Sequence, residues 1–312
     1  MDAVTVIQII FCADPFNPRE PDPAYEAEVR AARDLGLACH LIGFEALVDE
    51  QDAARAVRRV PEQAEPVLAL YRGWMLRPER YGDLFQALAA RGLALINDPA
   101  VYALCHELPR WYPLLTAWTP RSAWLATTGA VSDDDLANLA RPFGSSPLIV
   151  KDYVKSRKHD WDEACFISDA SNLPVVARVA RRFLELQGPD LYGGLVLREF
   201  EAFEPLATHS RSGMPLTREY RLFCLDGEPI VSAEYWEEGD YEQGDDGGAI
   251  PPLDDLRALA GLVPSRFFTM DVARRIDGLW RVVELGDGQV AGLPERIDPA
   301  ALYGALADRL SS

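Results

Sequence analysis

The sequence predicts an α/β amino-terminal region built on a parallel sheet, followed by an α+β region rich in paired strands. Apolar segments alternate with amphipathic helical segments over the first hundred residues, a pattern typical of βαβ units. From about residue 120 the strand-like segments come in pairs, and two pairs are joined by Asp-Gly, which favours a β-hairpin. A chain of 312 residues is long enough for two or three subdomains.

Four strands are predicted in the amino-terminal region, over residues 4–11, 37–44, 66–73 and 93–97. Helices are predicted between them, over residues 24–36, near 45–60, and over 78–91. Gly36 and Gly92 stand where two of these helices end, which is a common place for glycine. G-x-G-x-x-G does not follow the first strand and G-x-x-x-x-G-K-[ST] does not occur, so the sequence encodes neither a Rossmann dinucleotide site nor a P-loop.

The segment LIVKDYVK (148–155) has the pattern of a strand that carries two lysines. Strand alternation places Lys151, Tyr153 and Lys155 on one side, with the lysines roughly 13 Å apart, or closer if the strand bends. A nucleotide triphosphate has a similar length, so both lysines can address one ligand. The alternative is an edge strand whose lysines discourage aggregation.

A strand at ACFIS (164–168), a helix over about 173–187 and a strand over 193–203 are predicted next. KHDWDE (158–163) is interpreted as a polar loop between strands rather than as a base or metal cluster. The strand at 193–203 ends in the sequence Arg198-Glu199-Phe200-Glu201. A strand that enters an extended linker in this way can offer backbone groups to an adenine edge and an acidic side chain to ribose hydroxyls.

The hairpin around residues 277–278 brings two carboxylates together. With these residues as a two-residue turn, Ile276 faces Leu279, and the same register places Asp271 opposite Glu284. Like charges at opposed positions are destabilising unless one carboxyl is protonated or a divalent cation lies between them. Carboxylate oxygens suit Mg²⁺ bound together with a substrate phosphate. The alternatives are a solvent-screened pair or a register that has slipped by one residue.

The hairpin around residues 226–227 is treated in the same way. A two-residue turn there places Glu219 opposite Glu234, and Arg221 shares the face of Glu219. These two side chains form either a surface ion pair of little energetic worth or, beside a metal site, a group in which the arginine grips a phosphate oxygen. The acidic, glycine-rich segment at 237–253 is interpreted as a mobile solvated loop, with an active-site lid as the alternative.

Charge and cysteine content limit the classes of partner. The formal net charge is −18, so the average field repels phosphate backbones and anionic lipid, which disfavours nucleic acid and membrane surfaces. Five widely spaced cysteines without C-x-x-C are expected to be buried thiols in a reducing compartment rather than metal or redox ligands. The amino terminus carries an acidic residue and too short an apolar run for a membrane span or a secretion signal. We therefore expect a cytoplasmic protein.

Several segments carry a resemblance to a known family: RGWML (72–76), LINDP (95–99), VKDYVKSRKHDWDEACFI (150–167), REYRLF (218–223) and VELGDGQVAGLP (283–294). Their order resembles the ATP-grasp superfamily and, more narrowly, its clade whose signature is one arginine and two lysines. The resemblance implies an ATP-grasp fold behind a Rossmann-like pre-ATP-grasp α/β domain. The implied boundaries are 1–118 for that domain, 119–194 for the central subdomain and 195–312 for the carboxy-terminal subdomain.

The resemblance also implies roles for individual residues. Catalysis would depend on Arg221 at the γ-phosphate, on Lys155, and on Arg72, the candidate signature arginine, in contact with a carboxylate substrate. ATP would be bound by Lys151, Lys155, Arg198, Glu199, Phe200, Glu201, Glu219 and Arg221. Magnesium would be held by Asp271 and Glu284. Gly286 stands where the superfamily usually has an Asn, and Asp287 or Gln289 can replace that missing metal ligand.

The implied function is that of an ATP- and Mg²⁺-dependent carboxylate–amine ligase that forms an amide or peptide-type bond through an acylphosphate and releases ADP and phosphate. Its partners would be a small-molecule or peptide carboxylate and an amine. Phosphoryl transfer asks mainly for positioning and charge neutralisation, which agrees with four histidines of which none has metal-ligand spacing. The alternatives are a small-molecule kinase on the same fold and a non-catalytic nucleotide-binding module. The substrates and the oligomeric state are not encoded in a readable way.

Overall fold

The structure is a computed structural model that describes residues 7–208, 215–237 and 251–310. Within these ranges the strands form three four-stranded sheets and one two-stranded ribbon. Most of the acidic segment predicted as a loop or lid, residues 238–250, lies outside the described residues. No helix in the described ranges is both long enough and apolar enough to cross a membrane.

A parallel sheet forms the amino-terminal region, as predicted. Its strands are β1 (Gln8–Cys12), β2 (Ala38–Ile42), β3 (Val67–Arg72) and β4 (Leu93–Leu95), in the order β2-β1-β3-β4. The accompanying helices are α1 (Glu26–Asp34), α2 (Phe44–Val48), α3 (Ala53–Ala56) and α4 (Pro78–Ala89). The single helix predicted near 45–60 is therefore two short ones. The strands are apolar on both faces because both faces are covered: Ile10 packs in one core and Ile9 in another.

Two further helices, α5 (Pro99–His106) and α6 (Leu108–Leu115), connect this region to the rest of the chain. The first begins at Asp98, whose carboxylate accepts hydrogen bonds from two backbone N–H groups of the first turn. Trp111 of α6 is buried in the same core as Leu222 of the carboxy-terminal sheet. These helices therefore fix the amino-terminal region against that sheet.

The central region contains an antiparallel sheet and two helices. Its elements are β5 (Ser122–Ala126), α7 (Asp133–Ala140), β6 (Leu148–Lys151), β7 (Phe166–Ile167), α8 (Leu173–Gln187) and β8 (Gly194–Glu199), with the strand order β5-β8-β6-β7. The predicted helix at 173–187 is confirmed. The predicted boundary between residues 194 and 195 is wrong, because it cuts β8, which pairs with β5 and β6 and so belongs to the central sheet.

The segment predicted as a strand over 148–155 is a strand only as far as Lys151. Asp152 then donates its backbone N–H to the carbonyl of Lys155, and Lys151 pairs with Ser156, so residues 152–155 form a tight turn. The carboxylate of Asp152 accepts from the backbone N–H groups of Val154 and Lys155, which stabilises this turn. The polar loop predicted at 158–163 is a 3₁₀ turn at 158–160 followed by a π-helical turn at 161–165.

The carboxy-terminal region is an antiparallel sheet with flanking helices. Its elements are the ribbon of β9 (Pro205–Thr208) and β10 (Pro215–Thr217), the strands β11 (Glu219–Leu225), β12 (Glu228–Glu234), β13 (Phe267–Arg274) and β14 (Trp280–Asp287), and the helices α9 (Leu253–Ala260) and α10 (Pro299–Leu310). The sheet has the order β12-β11-β13-β14, with every pair antiparallel.

The pairing of β13 with β14 confirms that Asp271 lies opposite Glu284. The turn itself differs from the prediction, because the backbone of Arg275, not of Ile276, pairs with Leu279. A bulge between Asp271 and the next residue then shifts the register back by one. Two irregularities therefore cancel, and the predicted pair is correct although the predicted turn is wrong.

The pairing of β11 with β12 shows one irregularity that is not cancelled. Asp226 and Gly227 both have positive φ and form the predicted two-residue turn, with Leu225 opposite Glu228. A bulge after Phe223 shifts the register, so Glu234 lies opposite Tyr220. The predicted opposition of Glu219 to Glu234, and of Arg221 to Ser232, is therefore wrong.

Candidate active site

A cleft of about 480 Å³ lies between the central sheet and the carboxy-terminal sheet. One wall comes from β6, the turn after it and the end of β8, and the other from the starts of β10 and β11 and from β14. Seven residues predicted for the site line it: Lys151, Lys155, Arg198, Glu199, Phe200, Glu201 and Glu219, together with the predicted metal ligand Glu284. The strand ends of two sheets thus bring together residues that are more than a hundred positions apart.

The two predicted lysines lie in different environments. Lys151 is buried at the end of β6, and its Nζ donates to Glu284 Oε1 over 3.1 Å. Lys155, in the turn, is exposed and makes no ion pair within the described part of the chain. The first lysine therefore neutralises a carboxylate across the cleft, while the second presents its charge to a ligand.

Asp271 is buried and bound by an arginine. Arg221 Nε and Nη2 donate to the two carboxylate oxygens over 2.8 and 2.7 Å, and Arg221 Nη1 donates to the carbonyl of Gly292. The guanidinium also lies over the ring of Tyr235, with its Cζ 4.6 Å from the centroid. Burial raises the pKa of Asp271, although Arg221 opposes that shift and Glu284 adds to it.

The other two acids of the cleft differ in charge state. Burial raises the pKa of Glu219 to about 7, an effect that Asp271 and Glu284 increase and Lys158 opposes. Burial also acts to raise the pKa of Glu284, but the field of Lys151 and Lys158 and the hydrogen bond from Lys151 outweigh it and lower that pKa. Three carboxylates therefore share one place, and lysines keep Glu284 ionised.

The segment after β8 holds its acids in ion pairs. Arg121 donates to both oxygens of Glu199, and Arg281 donates to both oxygens of Glu201. Each carboxylate therefore fixes the path of the linker, and neither is free to meet a ribose hydroxyl unless its arginine moves. Phe200 lies between them and packs edge-on against Trp161, with ring centroids 5.9 Å apart.

Arg198 lines the cleft but is almost fully buried. Its Nη2 donates to Thr119 Oγ1 over 2.8 Å and to the carbonyl of Val282, and its guanidinium lies 5.9 Å from the ring centroid of Trp111. Burial lowers the pKa of Arg198 to about 10, although Glu284 and Glu201 oppose this. It therefore joins the central sheet to β14 while it faces the cleft.

Arg72 does not lie in the cleft. Its side chain is 1% exposed, and its Nε and Nη2 donate to Glu28 while Nη1 donates to the carbonyls of Gly288 and Ala291. Tyr303 donates its hydroxyl to the same carboxylate. The predicted contact of Arg72 with a carboxylate substrate is wrong in this structure, because Glu28 already occupies the guanidinium.

Asp287 does not lie with the other two predicted metal ligands. Strand alternation turns it to the face opposite Glu284, where it is fully buried and accepts hydrogen bonds from Asn97 and from Gln289. Gln289 is buried as well and also donates to Tyr81. The prediction that Asp287 or Gln289 replaces the missing metal ligand is therefore wrong. Both belong to the interface with the amino-terminal region.

Gly286 has a specific reason to lack a side chain. A Cβ at this position would lie 2.7 Å from Oγ1 of Thr269, its cross-strand partner on β13. Thr269 is buried and shares the strand face of Asp271. A hydroxyl oxygen therefore occupies the space that an Asn side chain would need.

The sequence reasoning missed two residues of the cleft. Lys158 and Trp161, both within the segment interpreted as a polar loop, line the cleft. Trp161 stacks on Phe166 with ring centroids 5.2 Å apart and planes at 7°. The available signal was a third lysine seven residues after Lys151, which the emphasis on the strand pattern hid.

The donor set can accept a magnesium ion that arrives with a nucleotide. No group of three or more His, Cys, Asp or Glu among the described residues is arranged to hold a metal by itself. Mg²⁺ in phosphoryl-transfer sites commonly takes only one or two carboxylates and completes its shell with phosphate and water. Asp271 and Glu284, opposed on neighbouring strands, are such a pair.

Solved structures with similar folds define the class of protein. The ATP-grasp ligase PsnB, complexed with precursor peptide PsnA2 and AMPPNP, aligns with a TM-score of 0.56 and 15% identity over 100% of this chain and 99% of that chain. A RimK domain ATP-grasp protein from Sphaerobacter thermophilus DSM 20745 aligns with a TM-score of 0.57 and 14% identity over 98% and 100%. D-alanine–D-alanine ligase from Bacillus anthracis, complexed with ATP, gives 0.56 and 13% over 98% and 96%. The fold is that of an ATP-grasp protein.

The particular family follows from the sequence. Residues 142–306 match the model of an ATP-grasp domain, family 3 of the clade that is named for one arginine and two lysines. The match covers more than half of the 312 residues, and the chain belongs to this family. A comparison with curated proteins gives no significant match. The predicted superfamily and clade are confirmed.

Proposed function

We propose that this protein is an ATP- and Mg²⁺-dependent carboxylate–amine ligase that works through an acylphosphate. The observation that carries the proposal is the cleft, in which Lys151, Lys155 and Lys158 face the carboxylates of Glu219 and Glu284. Family membership supports ATP binding in this cleft, and the similar folds include proteins described as ligases. Each of these ligases was solved with ATP or an ATP analogue.

The nucleotide would lie along the cleft with its base near Phe200 and Trp161, where aromatic faces can stack on it. Lys151 and Lys155 would neutralise the phosphates, and Arg221 would approach the γ-phosphate if it leaves Asp271. Mg²⁺, when bound by Asp271 and Glu284, would offset phosphate charge. The hydroxyl of Thr269 is our candidate for the oxygen that the missing Asn would supply.

The reaction would proceed in two balanced steps. A carboxylate oxygen of the substrate bonds to the γ-phosphorus while the bond from that phosphorus to the β–γ bridging oxygen breaks, which gives an acylphosphate and ADP. The amine nitrogen then bonds to the acyl carbon and loses a proton to solvent while the carbon–oxygen bond to phosphate breaks. The protein contributes position and cationic charge to both steps and needs no side-chain nucleophile.

Nucleotide products test this proposal. The full chain is incubated with ATP, Mg²⁺, a panel of carboxylic acids and an amine, and the nucleotides are separated. ADP, free phosphate and a condensation product are expected. AMP with pyrophosphate, or bound ATP that no acid turns over, would contradict the proposal. A stable phosphorylated acceptor without condensation would indicate a kinase instead.

A further inference from the structure

A second cavity of about 440 Å³ adjoins the nucleotide cleft. It is lined by the loop before α4, by α5, by the turn at 152–155 and by residues 187–192. Val154 and Lys155 line both spaces, so this turn forms the wall between them. Its volume is in the range of small-molecule sites. The cavity is not part of the nucleotide cleft, and none of the roles assigned above uses it.

The dividing turn is held rigidly while one side chain on it stays free. Besides the two bonds within the turn, Asp152 accepts from Gln187 Nε2 over 2.9 Å and from the backbone N–H of Tyr192. Lys155 has no ion-pair partner among the described residues. A fixed backbone with an exposed ammonium at the junction suits a place where a phosphate and a second anion meet, because their mutual repulsion must be offset.

A second cation lies on the rim of this cavity. Arg77 precedes α4, its side chain is half exposed, and its Nη2 donates to the carbonyl of Pro189 over 3.0 Å. The carboxylate of Asp190 is 4.0 Å away and almost fully exposed, so it neutralises Arg77 only weakly. The guanidinium keeps donors available for a carboxylate.

The cavity also contains a buried acceptor. His106 Nδ1 lies 2.9 Å from the carbonyl of Tyr102, and since a carbonyl only accepts, Nδ1 carries the proton. Nε2 is buried and has no hydrogen-bond partner within the described residues. Burial lowers the pKa of His106, which favours the neutral ring with Nε2 as an acceptor. An unsatisfied buried acceptor is costly, so a donor from a ligand would be stabilising.

We propose that this cavity binds the carboxylate substrate, and that the substrate is a small carboxylic acid with an N–H or O–H donor on the same molecule, as in amino acids and hydroxy acids. Its carboxylate would meet Lys155 and Arg77, its donor would meet His106, and its apolar part would contact Leu76 and Tyr102. The proposal rests on the proposed function, in which the nucleotide occupies the other side of Lys155.

A hydroxamate assay on the full chain tests this assignment. The probes are the twenty common L-amino acids and their 2-hydroxy analogues, each with ATP, Mg²⁺ and hydroxylamine, whose nitrogen takes the acyl group and releases phosphate. Arg77→Gln is compared with Arg80→Gln, which changes the same residue type on α4 at a position that does not line the cavity and pairs with Asp83. Met75→Trp, at an exposed position on the rim, blocks the cavity sterically without touching the cleft.

Arg77→Gln is expected to raise the KM for the active acid at least about tenfold, the cost of one charged hydrogen bond, with the KM for ATP unchanged. Met75→Trp is expected to do the same, and Arg80→Gln to match wild type. Hydroxamate formation that ignores both Arg77→Gln and Met75→Trp would overturn the site alone. Turnover only of acids without a donor would overturn the substrate class. ATP binding without ADP from any acid would overturn the proposed function and this inference with it.

Discussion

Two buried arginine–carboxylate pairs in this molecule have similar geometry and different surroundings. Arg72 binds Glu28 and Arg221 binds Asp271, each through Nε and Nη2 at 2.7 to 3.0 Å. The first pair is closed off by two carbonyls and by the hydroxyl of Tyr303. The second adjoins further carboxylates at the edge of a cleft.

The difference shows which feature of a buried ion pair indicates function. A bidentate pair with balanced charge and satisfied oxygens needs nothing else, and its role is structural. A pair beside surplus carboxylates carries repulsion that a cationic ligand would relieve. Burial and bidentate geometry are common to both pairs, so the surplus charge is the discriminating feature.

The largest expected effect breaks the closed pair. Glu28→Gln leaves the buried guanidinium of Arg72 without a counter-charge and is expected to lower the free energy of unfolding by about 3–5 kcal/mol. Glu26→Gln, on the exposed face of the same helix, removes only a surface pair with Arg30 and is expected to cost less than about 1 kcal/mol. Urea unfolding measures both. Equal losses in the two variants would contradict a structural role specific to Glu28.

The next effect breaks the open site. Glu284→Gln is expected to reduce kcat/KM for ADP formation by about 10²–10³-fold while the free energy of unfolding changes little, because Glu284 would act on the nucleotide rather than on the fold. Asp277→Asn, in the exposed turn of the same hairpin, is the matched control and is expected to keep activity. Activity retained in Glu284→Gln would place the metal elsewhere.

The smallest effect concerns pH. Burial raises the pKa of Glu219 from the ordinary 4.5 to about 7, so the acid is neutral in both states at low pH and ionises less readily in the folded state. The stability it contributes is complete below its ordinary pKa and is lost as the pH rises through about 7. Glu219→Gln is therefore expected to stabilise the ligand-free protein at about pH 8 relative to wild type by about 1–3 kcal/mol, and not at about pH 4. A difference between the two proteins that is the same at both pH values would contradict this account.

The sequence alone predicts the open site better than the closed one. Counting outward from an Asp-Gly turn gave the pair of Asp271 and Glu284, since β alternation and hairpin geometry are local rules. Strand boundaries and the helix at 173–187 follow from the same local patterns. The lysines were recognisable because they interrupt an apolar strand in an acidic chain.

Long-range contacts explain the failures. Nothing near Arg72 in the sequence indicates that Glu28, on a helix 44 residues earlier, covers it. Asp287 follows Glu284 closely, yet alternation and the contact with Asn97 turn it into the interface. Bulges depend on how neighbouring strands pack, so the register of Glu234 was not readable from the turn.

Magnesium-dependent nucleotide binding tests the central claim most directly. Calorimetry compares the affinity for AMPPNP with and without Mg²⁺ in wild type, Glu284→Gln and Asp277→Asn. Mg²⁺ is expected to tighten binding by at least about tenfold in wild type and Asp277→Asn and to have little effect in Glu284→Gln. An equal gain from Mg²⁺ in all three proteins would contradict the claim that the opposed carboxylates hold the ion.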